Sequence, residues 1–325
     1  MRAVLPSADP RQPSPLPLVG DLPDPVPGPG EVLVAIEAAG LNHADPLQLR
    51  GLYPPPPGEP EVPGLECAGR VLGETSGLWR PGARVMALLG GGGHATRVAV
   101  PTGQLMPLPD HLSFTEGAAI PEAALTAWTN LVAEGKLEPG ESVLITGATG
   151  GMGSFAVQLA RELGARVIAA ARDADRLEQL RGYGVQEICR SGPHLPQQVL
   201  EATNGRGVDL VIDFVGGPEL AGHLASLREG GRLVLVGLLA GAKAELDLRL
   251  LLRRRLRIVG SVLRPRSRKE KAGLVSDFIE FALPRLEDGR LRPTVDRVIP
   301  FEKAAEAYRA LERGGVFGKI VLVMI

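Results

Sequence analysis

The chain has 325 residues, which is long enough for about two domains. Its 36 basic and 37 acidic residues leave a formal net charge of −1, so no overall positive field attracts nucleic acid or an anionic membrane. A hydrophobic fraction of 44% is sufficient for packed cores. We therefore expect a globular protein that binds neither nucleic acid nor membrane.

Residues 1 to about 123 contain short apolar runs separated by Pro and Gly, which predicts a small barrel or a partly open sandwich. Ser113 followed by Glu116 fits a capping box at the start of a helical stretch that continues to residue 134. The predicted strands of this region are residues 31–37, 68–72, 84–88 and 95–100.

An apolar β-type run, residues 143–145, leads into a turn that contains four glycines between residues 147 and 153. Phe155, Leu159 and Leu163 then recur at a spacing of four, which predicts an amphipathic helix. Glycines let the backbone approach a pyrophosphate, and the start of a helix offers unpaired N–H groups to that anion. This stretch predicts the opening of a dinucleotide-binding unit.

Further buried strands are predicted at residues 166–170, 208–214 and 232–236, and Asp173 can cap a helix that runs to Gln179. Strands that alternate with helices indicate an α/β fold with a parallel, doubly wound sheet. The remaining predicted elements are helices at residues 269–281 and 302–311 and a closing strand at residues 319–325.

Eight short segments carry a family resemblance together with the glycine turn. They are residues 39–45, 51–54, 63–66, 81–85, 92–95, 120–127, 230–234 and 318–321. In this order and at these separations, they make the chain resemble the zinc-independent quinone oxidoreductases of the medium-chain dehydrogenase/reductase superfamily. It is most similar to their p53-inducible branch through residues 53–58 and 105–109.

The resemblance implies a GroES-like β-rich catalytic domain at residues 1–123 and 263–325, with a Rossmann domain at residues 124–262. It also implies NADPH as the cofactor and a homodimer built through the Rossmann sheets. Within the Rossmann domain the implied cofactor contacts are Thr126, Thr149, Gly150, Gly151, Met152 and Gly153. Val215 and Gly237 follow parallel strands, at the end of the sheet where ligands gather in such folds.

Preference between the two nicotinamide cofactors is predicted from the strand after the glycine turn. An NAD site normally has an acidic residue about 20 positions past the turn, but here Arg172 occupies that neighbourhood, with Arg176 one turn further on. Guanidinium groups bind phosphate with matching geometry, so we expect NADPH. The alternative is that Arg172 is a solvated loop residue and Asp173 is simply the helix cap. The tyrosine that often ends the next strand segment in this family is absent.

The resemblance also bears on metal binding. Zinc-dependent relatives carry a cysteine at the position of Asn42 and a histidine at the position of Leu65, and neither residue found here is a useful zinc ligand. We expect no catalytic zinc. Cys67 is expected to pack in the core, and His43 and His94 are expected to be hydrogen-bonded scaffold residues.

Without a metal, the expected substrates are quinones or conjugated carbonyl compounds, which accept hydride directly at carbon. The resemblance implies that Asn42 and Tyr53 flank the nicotinamide and the acceptor, with the Tyr53 hydroxyl able to donate a proton. Structural roles in a turn or in packing remain the alternatives for both residues.

Three other functions fit parts of the sequence. A short-chain dehydrogenase is disfavoured, because none of Tyr53, Tyr183 and Tyr308 is followed by a lysine four residues later. An enoyl-thioester or 2-alkenal reductase on the same scaffold and a non-enzymatic NADPH-binding protein both stay open.

Only two cysteines are present, and they lie 122 positions apart, which favours reduced thiols over a disulfide scaffold. Pro6, Asp9 and Pro10 interrupt any hydrophobic signal core at the N-terminus. We therefore expect a cytoplasmic protein.

Overall fold

The fold is that of a computed structural model, in which the residues described are 1–6, 17–73 and 79–324. Asp9, Pro10 and Ile325, which enter the sequence predictions, lie outside the described residues. The chain divides into two compact units, the first formed by Met1–Leu125 and Leu263–Ile325 and the second by Thr126–Val262.

Fifteen strands are present in the described part of the chain. In chain order they are β1 (Arg2–Pro6), β2 (Pro17–Asp21), β3 (Glu31–Gly40), β4 (Glu66–Leu72), β5 (Arg84–Leu88), β6 (Arg97–Pro101), β7 (Leu105–Pro107), β8 (Ser142–Thr146), β9 (Arg166–Ala171), β10 (Glu187–Arg190), β11 (Val208–Asp213), β12 (Leu227–Leu235), β13 (Arg257–Gly260), β14 (Val295–Pro300) and β15 (Lys319–Val323).

Ten α-helices accompany these strands in the same described ranges. They are α1 (Ala44–Leu49), α2 (Phe114–Gly117), α3 (Pro121–Trp128), α4 (Gly151–Glu162), α5 (Ala174–Gln179), α6 (Leu195–Ala202), α7 (Leu220–Ala225), α8 (Leu248–Arg254), α9 (Arg268–Glu287) and α10 (Ala304–Arg313).

The first unit contains a seven-stranded sheet in the order β14-β15-β3-β4-β5-β7, with β6 also paired with β3. All of its pairs are antiparallel except β14 with β15. Val32, Val34 and Ile36 alternate with half-buried residues along β3, so one face of this long strand packs into the core. The alternation follows the two-residue period that the sequence predicts.

The second unit contains a six-stranded sheet in the order β10-β9-β8-β11-β12-β13, and every neighbouring pair is parallel. Leu144, Ile168, Val211 and Leu233 lie in its core, one from each of four adjacent strands. This confirms the predicted α/β fold with a doubly wound parallel sheet, in which the strand order reverses beside β8.

Several predicted elements differ in extent. The helical stretch predicted from Ser113 to residue 134 consists of α2, α3 and a π-helical segment, Thr129–Glu134, because Pro121 begins a new helix. The predicted capping box of Ser113 and Glu116 is present. The helix predicted at residues 269–281 continues to Glu287 and contains Pro284.

In the described ranges, no helix combines the length and the apolar composition that crossing a bilayer requires.

Candidate functional site

The glycine turn of the second unit lies between β8 and α4. Gly147 has a φ of 60°, a conformation that favours glycine. A Cβ atom at Gly153 would lie 2.4 Å from the carbonyl oxygen of Gly147, so the turn packs directly against the helix. At Gly150, by contrast, an added Cβ would meet no atom closer than 3.5 Å. Gly150 therefore presents an open backbone surface at the start of the helix.

No side chain caps the N-terminus of α4, where Gly150 is the N-cap residue. Thr149, Gly151 and Met152 are half-buried around this end of the helix. The first N–H groups of a helix have no partners within the helix and lie at the positive end of its dipole. An uncapped end beside an open glycine fits a pyrophosphate.

The two predicted phosphate-binding arginines have different surroundings. Arg172 directly follows β9 and is exposed, and it forms no ion pair with any residue that the structure describes. Arg176 is held by Asp173: its backbone amide donates to Asp173 Oδ1 at 3.1 Å, and its guanidinium lies 3.3 Å from Asp173 Oδ2. Arg172 is therefore the better candidate for binding a phosphate.

A second turn of this unit follows β11 and carries Val215. The Asp213 carboxylate accepts hydrogen bonds from the backbone amides of Val215 at 2.8 Å and Gly216 at 3.0 Å. Oγ1 of Thr146, at the end of the neighbouring strand β8, lies 3.2 Å from the same carboxylate oxygen. Asp213 thus links the residue that precedes the glycine turn to the Val215 turn.

Gly237 is packed against the same turn. A Cβ atom at Gly237 would lie 2.6 Å from the carbonyl oxygen of Phe214, and the amide of Ala240 donates to the carbonyl of Val215 at 2.8 Å. Val215 and Gly237 therefore lie on two turns that contact each other at the carboxyl ends of β11 and β12.

Thr126 lies in α3. Its side chain is buried, and its carbonyl accepts a hydrogen bond from the Asn130 carboxamide at 2.7 Å. This bond stays within one turn of helix and involves only the main chain of Thr126.

In the first unit, Asn42 belongs to a buried polar cluster. Its carboxamide oxygen accepts a hydrogen bond from the Lys319 ammonium at 2.6 Å, and its Nδ2 donates to Glu66 Oε1 at 2.9 Å. Lys319 and Glu66 also form an ion pair, with side chains that are 5% and 0% exposed. The carboxamide oxygen of Asn42 therefore contacts a positive group, and its N–H contacts a negative one.

Asp45 and His94 support this cluster. The Asp45 carboxylate accepts from the backbone amide of Asn42 at 2.6 Å. His94 Nε2 contacts the carbonyl of Gly40 at 3.1 Å, so this nitrogen carries the proton, and Nδ1 lies 2.7 Å from the Tyr308 hydroxyl. His94 is hydrogen-bonded inside the scaffold.

Glu122 is a second buried acid near Glu66. Burial raises the pKa of Glu122 to about 8, the neighbouring Glu66 carboxylate adds to the rise, and the Lys319 ammonium opposes it. Glu122 is therefore protonated near neutral pH, whereas Glu66 carries the charge that pairs with Lys319.

Tyr53 is held by Arg264, whose guanidinium carbon lies 5.1 Å from the centre of the tyrosine ring. The same guanidinium donates to the carbonyls of Tyr53 at 3.1 Å and Gly90 at 2.8 Å. Burial raises the pKa of Tyr53, Glu122 adds to the rise, and Arg264 lowers it. The hydroxyl is therefore protonated near neutral pH and able to donate a proton.

The positions that carry zinc ligands in the zinc-dependent relatives hold different chemistry here. Asn42 is engaged by Lys319 and Glu66, Leu65 is buried and apolar, and Cys67 is a fully buried free thiol. Burial raises the pKa of Cys67. Within the described ranges, no group of three or more His, Cys, Asp or Glu side chains is arranged to hold a metal ion.

The sequence predictions did not include the charged residues that contact Asn42, Val215 and Tyr53. Lys319 and Glu66 lie in two of the family segments, but the hydrogen bond between Asn42 and Lys319 joins residues 277 positions apart. Asp213 is the last residue of β11 and lies one residue before the end of the predicted strand, which was the available signal for a residue at the site. Arg264 lay in no motif.

Two family descriptions match the chain. Residues 28–110 match the alcohol dehydrogenase GroES-like domain, and residues 151–280 match the zinc-binding dehydrogenase family. Among curated proteins, the chain is 33% identical to a synaptic vesicle membrane protein VAT-1 homolog of Rattus norvegicus, over 92% of this chain and 78% of that protein. It is 29% identical to a quinone oxidoreductase of Lama guanicoe, over 96% and 94% of the two chains.

Solved structures give a similar result. A quinone oxidoreductase from Thermus thermophilus, also solved as a complex with NADPH, is 38% identical over both whole chains, with a TM-score of 0.83. An NAD-dependent alcohol dehydrogenase is 33% identical over both whole chains, with a TM-score of 0.86. The CurK enoyl reductase is 28% identical over 95% of each chain, with a TM-score of 0.84.

Proposed function

Because the chain belongs to the medium-chain dehydrogenase/reductase superfamily of oxidoreductases, we propose that it uses NADPH to reduce a quinone or a conjugated carbonyl compound without zinc. The similarity to quinone oxidoreductases supports this substrate class. When bound, the reduced nicotinamide supplies the hydride.

The observation that carries the proposal is the arrangement around Asn42. An ammonium and a carboxylate engage its carboxamide, and neither a carboxamide nor an ammonium is a ligand of tetrahedral zinc. With no Lewis acid to polarise an alcohol or a simple carbonyl, the favoured substrate is one whose carbon accepts hydride directly. Quinones and conjugated carbonyl compounds meet that condition.

Two side chains of the first unit have the chemistry to position such an acceptor. Asn42 keeps one N–H and one lone pair beyond its bonds to Glu66 and Lys319, so it can still hydrogen-bond a ribose or an acceptor oxygen. Tyr53 offers a protonated hydroxyl on a ring that Arg264 holds in place. Asn42 orients, and Tyr53 donates a proton to the acceptor oxygen.

The choice of NADPH is supported by Arg172. It is exposed at the end of β9, where a coenzyme 2′-phosphate binds in folds of this type, and no described residue pairs with it. A charge-assisted hydrogen bond contributes roughly 1.5–3 kcal/mol, which corresponds to about ten- to a hundredfold in affinity. R172Q should therefore weaken NADPH binding by about that factor and leave NADH binding unchanged.

The deciding experiment is an acceptor panel on metal-free protein, with NADPH and NADH measured in parallel. We expect oxidation of NADPH with 1,2-naphthoquinone and with an enone, and slower oxidation of NADH. Activity that requires added zinc would contradict the proposal. Tight NADPH binding without oxidation by any acceptor would favour a non-enzymatic NADPH-binding protein.

An enoyl-thioester or 2-alkenal reductase is the second candidate, because the chain is also similar to the CurK enoyl reductase. The same panel separates the two functions when it includes an enoyl thioester. A kcat/KM for the thioester far above that for any quinone would assign the protein to this second class.

We also propose that the protein is a homodimer formed through the second unit. Its edge strand β13 and the adjoining helix α8 expose three large apolar side chains, Leu248, Leu252 and Ile258, and Val262, two residues after β13, is exposed as well. An exposed apolar edge of a sheet favours pairing with a second copy. Sedimentation equilibrium should show a dimer that the charged substitutions L252E and I258E dissociate.

For its location we propose the cytoplasm. Cys67 and Cys189 are both free and buried, and burial raises the pKa of the Cys189 thiol to about 11. Two unpaired thiols suit a reducing compartment.

A further inference from the structure

Asp213 is a fully buried carboxylate at the end of β11, and donors from four residues surround it. Besides Thr146 and the amides of Val215 and Gly216, His223 Nδ1 lies 2.9 Å from its second oxygen. Burial alone would raise the pKa of Asp213, but the hydrogen bond and charge of His223, together with the two backbone amides, lower it. Asp213 is therefore an ionised acceptor, so His223 Nδ1 donates to it.

The other ring nitrogen of His223 is left unsatisfied. The side chain is 1% exposed, and Nε2 has no hydrogen-bond partner among the described residues; Glu219 Oε2 lies 3.8 Å away. An apolar side chain would fill the same volume on α7 without burying an unpaired nitrogen. Packing alone therefore gives no reason for an imidazole here, whereas its bond to Asp213 does.

The turn that Asp213 binds contains two adjacent glycines, whose backbone can adopt more conformations than that of any other residue, so its hydrogen bonds to Asp213 restrict it. Gly216 and Gly217 have φ values of 60° and 57°. A Cβ at Gly217 would lie 2.6 Å from the carbonyl oxygen of Ala240, so the turn also fits closely against the residues that follow Gly237. The position of the Val215 amide depends on the orientation of the Asp213 carboxylate.

The strand order indicates which half of a dinucleotide meets this turn. β9 and β11 lie on opposite sides of β8. With the pyrophosphate at the glycine turn after β8 and the 2′-phosphate at Arg172 after β9, the nicotinamide half extends towards the turn after β11. The Val215 turn is then on the nicotinamide side, and Arg172 is on the adenosine side.

Resting on the proposed use of NADPH, we infer that His223 is a positioning residue which orients Asp213 and thereby fixes the Val215 turn for the nicotinamide half of the coenzyme. Its bond to Asp213, and not its volume, carries this role. The adenosine half, bound by Arg172 and the glycine turn, does not depend on it.

The test compares the dissociation constants of NADPH and of 2′,5′-ADP, which lacks the nicotinamide half, by titration calorimetry. We expect H223L to weaken NADPH binding about tenfold, because Asp213 loses a buried donor, and to leave 2′,5′-ADP binding within about twofold. H223N, whose carboxamide nitrogen takes the position of His223 Nδ1 and can donate to Asp213, should restore most of the loss. Should H223L not fold, H223A, which also lacks a donor for Asp213, takes its place.

Equal losses for both ligands would mean that His223 only supports the fold, and unchanged NADPH affinity would mean that its bond to Asp213 is irrelevant to binding. Either result overturns the inference and leaves the proposed function intact. If the wild-type protein bound neither 2′,5′-ADP nor NADPH, the proposed function would be wrong, and the inference would be wrong with it.

Discussion

The backbone amide of Glu122 donates a hydrogen bond of 2.9 Å to the Glu66 carboxylate, so the side chain of one buried acid contacts the main chain of a second buried acid. The two side chains have opposite protonation states near neutral pH. Glu66 is charged because Lys319 pairs with it, while burial and the charge of Glu66 keep Glu122 protonated. The stability of the protein should depend on pH for this reason.

We expect E122Q to be more stable than the wild type at high pH. The pKa of Glu122 is raised from 4.5 to about 8, so between these values the folded chain holds a proton that the unfolded chain releases. The free energy of unfolding that this group contributes therefore falls as pH rises through the window, and levels off above it. Urea unfolding at intervals from pH 5 to 9 should show a difference of a few kcal/mol developing in favour of E122Q.

The exposed Glu245 provides the control, since E245Q removes a carboxyl of the same kind from the surface. Its stability difference from the wild type should not change over this pH range. A constant difference for E122Q as well would show that Glu122 is charged in the folded protein.

We expect K319M to destabilise the protein by roughly 3–5 kcal/mol, because it leaves the Glu66 charge buried without a partner. The double variant E66Q/K319M removes both charges and should recover much of this loss. Chemical denaturation of E66Q, K319M and the double variant gives the coupling energy between the two side chains. K303M, at an exposed lysine, is the matched control. Additive losses in the double variant would mean that the ion pair contributes nothing.

The glycine turn offers a pair of substitutions that separate folding from binding. At Gly153 a methyl group would lie 2.4 Å from a backbone oxygen, so G153A should lower stability by roughly 1–3 kcal/mol. At Gly150, whose φ of −76° suits alanine, the methyl group meets nothing closer than 3.5 Å. G150A should fold normally and bind NADPH about tenfold more weakly, because the methyl group faces the proposed pyrophosphate.

Thermal unfolding and calorimetric titration measure the two effects on the same samples. Wild-type affinity in a folded G150A variant would place the pyrophosphate away from this turn.

We expect Y53F to lower kcat with a quinone by roughly a hundredfold, the lower end of what general acid catalysis contributes. Phenylalanine keeps the ring that Arg264 contacts, so the fold and the affinity for NADPH should not change. Single-turnover measurements, with Y183F as a control in the second unit, isolate the chemical step. Unchanged turnover would remove any acid role for Tyr53.

The sequence was sufficient for the features that depend on near neighbours. The strand, glycine turn and helix around Gly150 follow from local periodicity, and so does the cap that Asp173 provides for α5. Four-residue strands, such as β10 and β13, were missed because four residues contain too little alternation to detect.

The buried polar cluster was beyond local reasoning. Asn42 was identified by resemblance, but its two charged partners come from β4 and β15, and only the pairing of the sheet brings them together. The same holds for His223, whose partner is the last residue of a strand ten positions earlier.

The position of Lys319 has a consequence for how the protein is made. The second unit is one continuous stretch of chain and can fold while translation proceeds, but β3 can pair with β15 only after the whole second unit has been synthesised. Until then Glu66 has no counter-ion and the central sheet of the first unit lacks one of its inner strands. A nascent chain at that stage would hold a complete second unit and an incomplete sheet in the first unit.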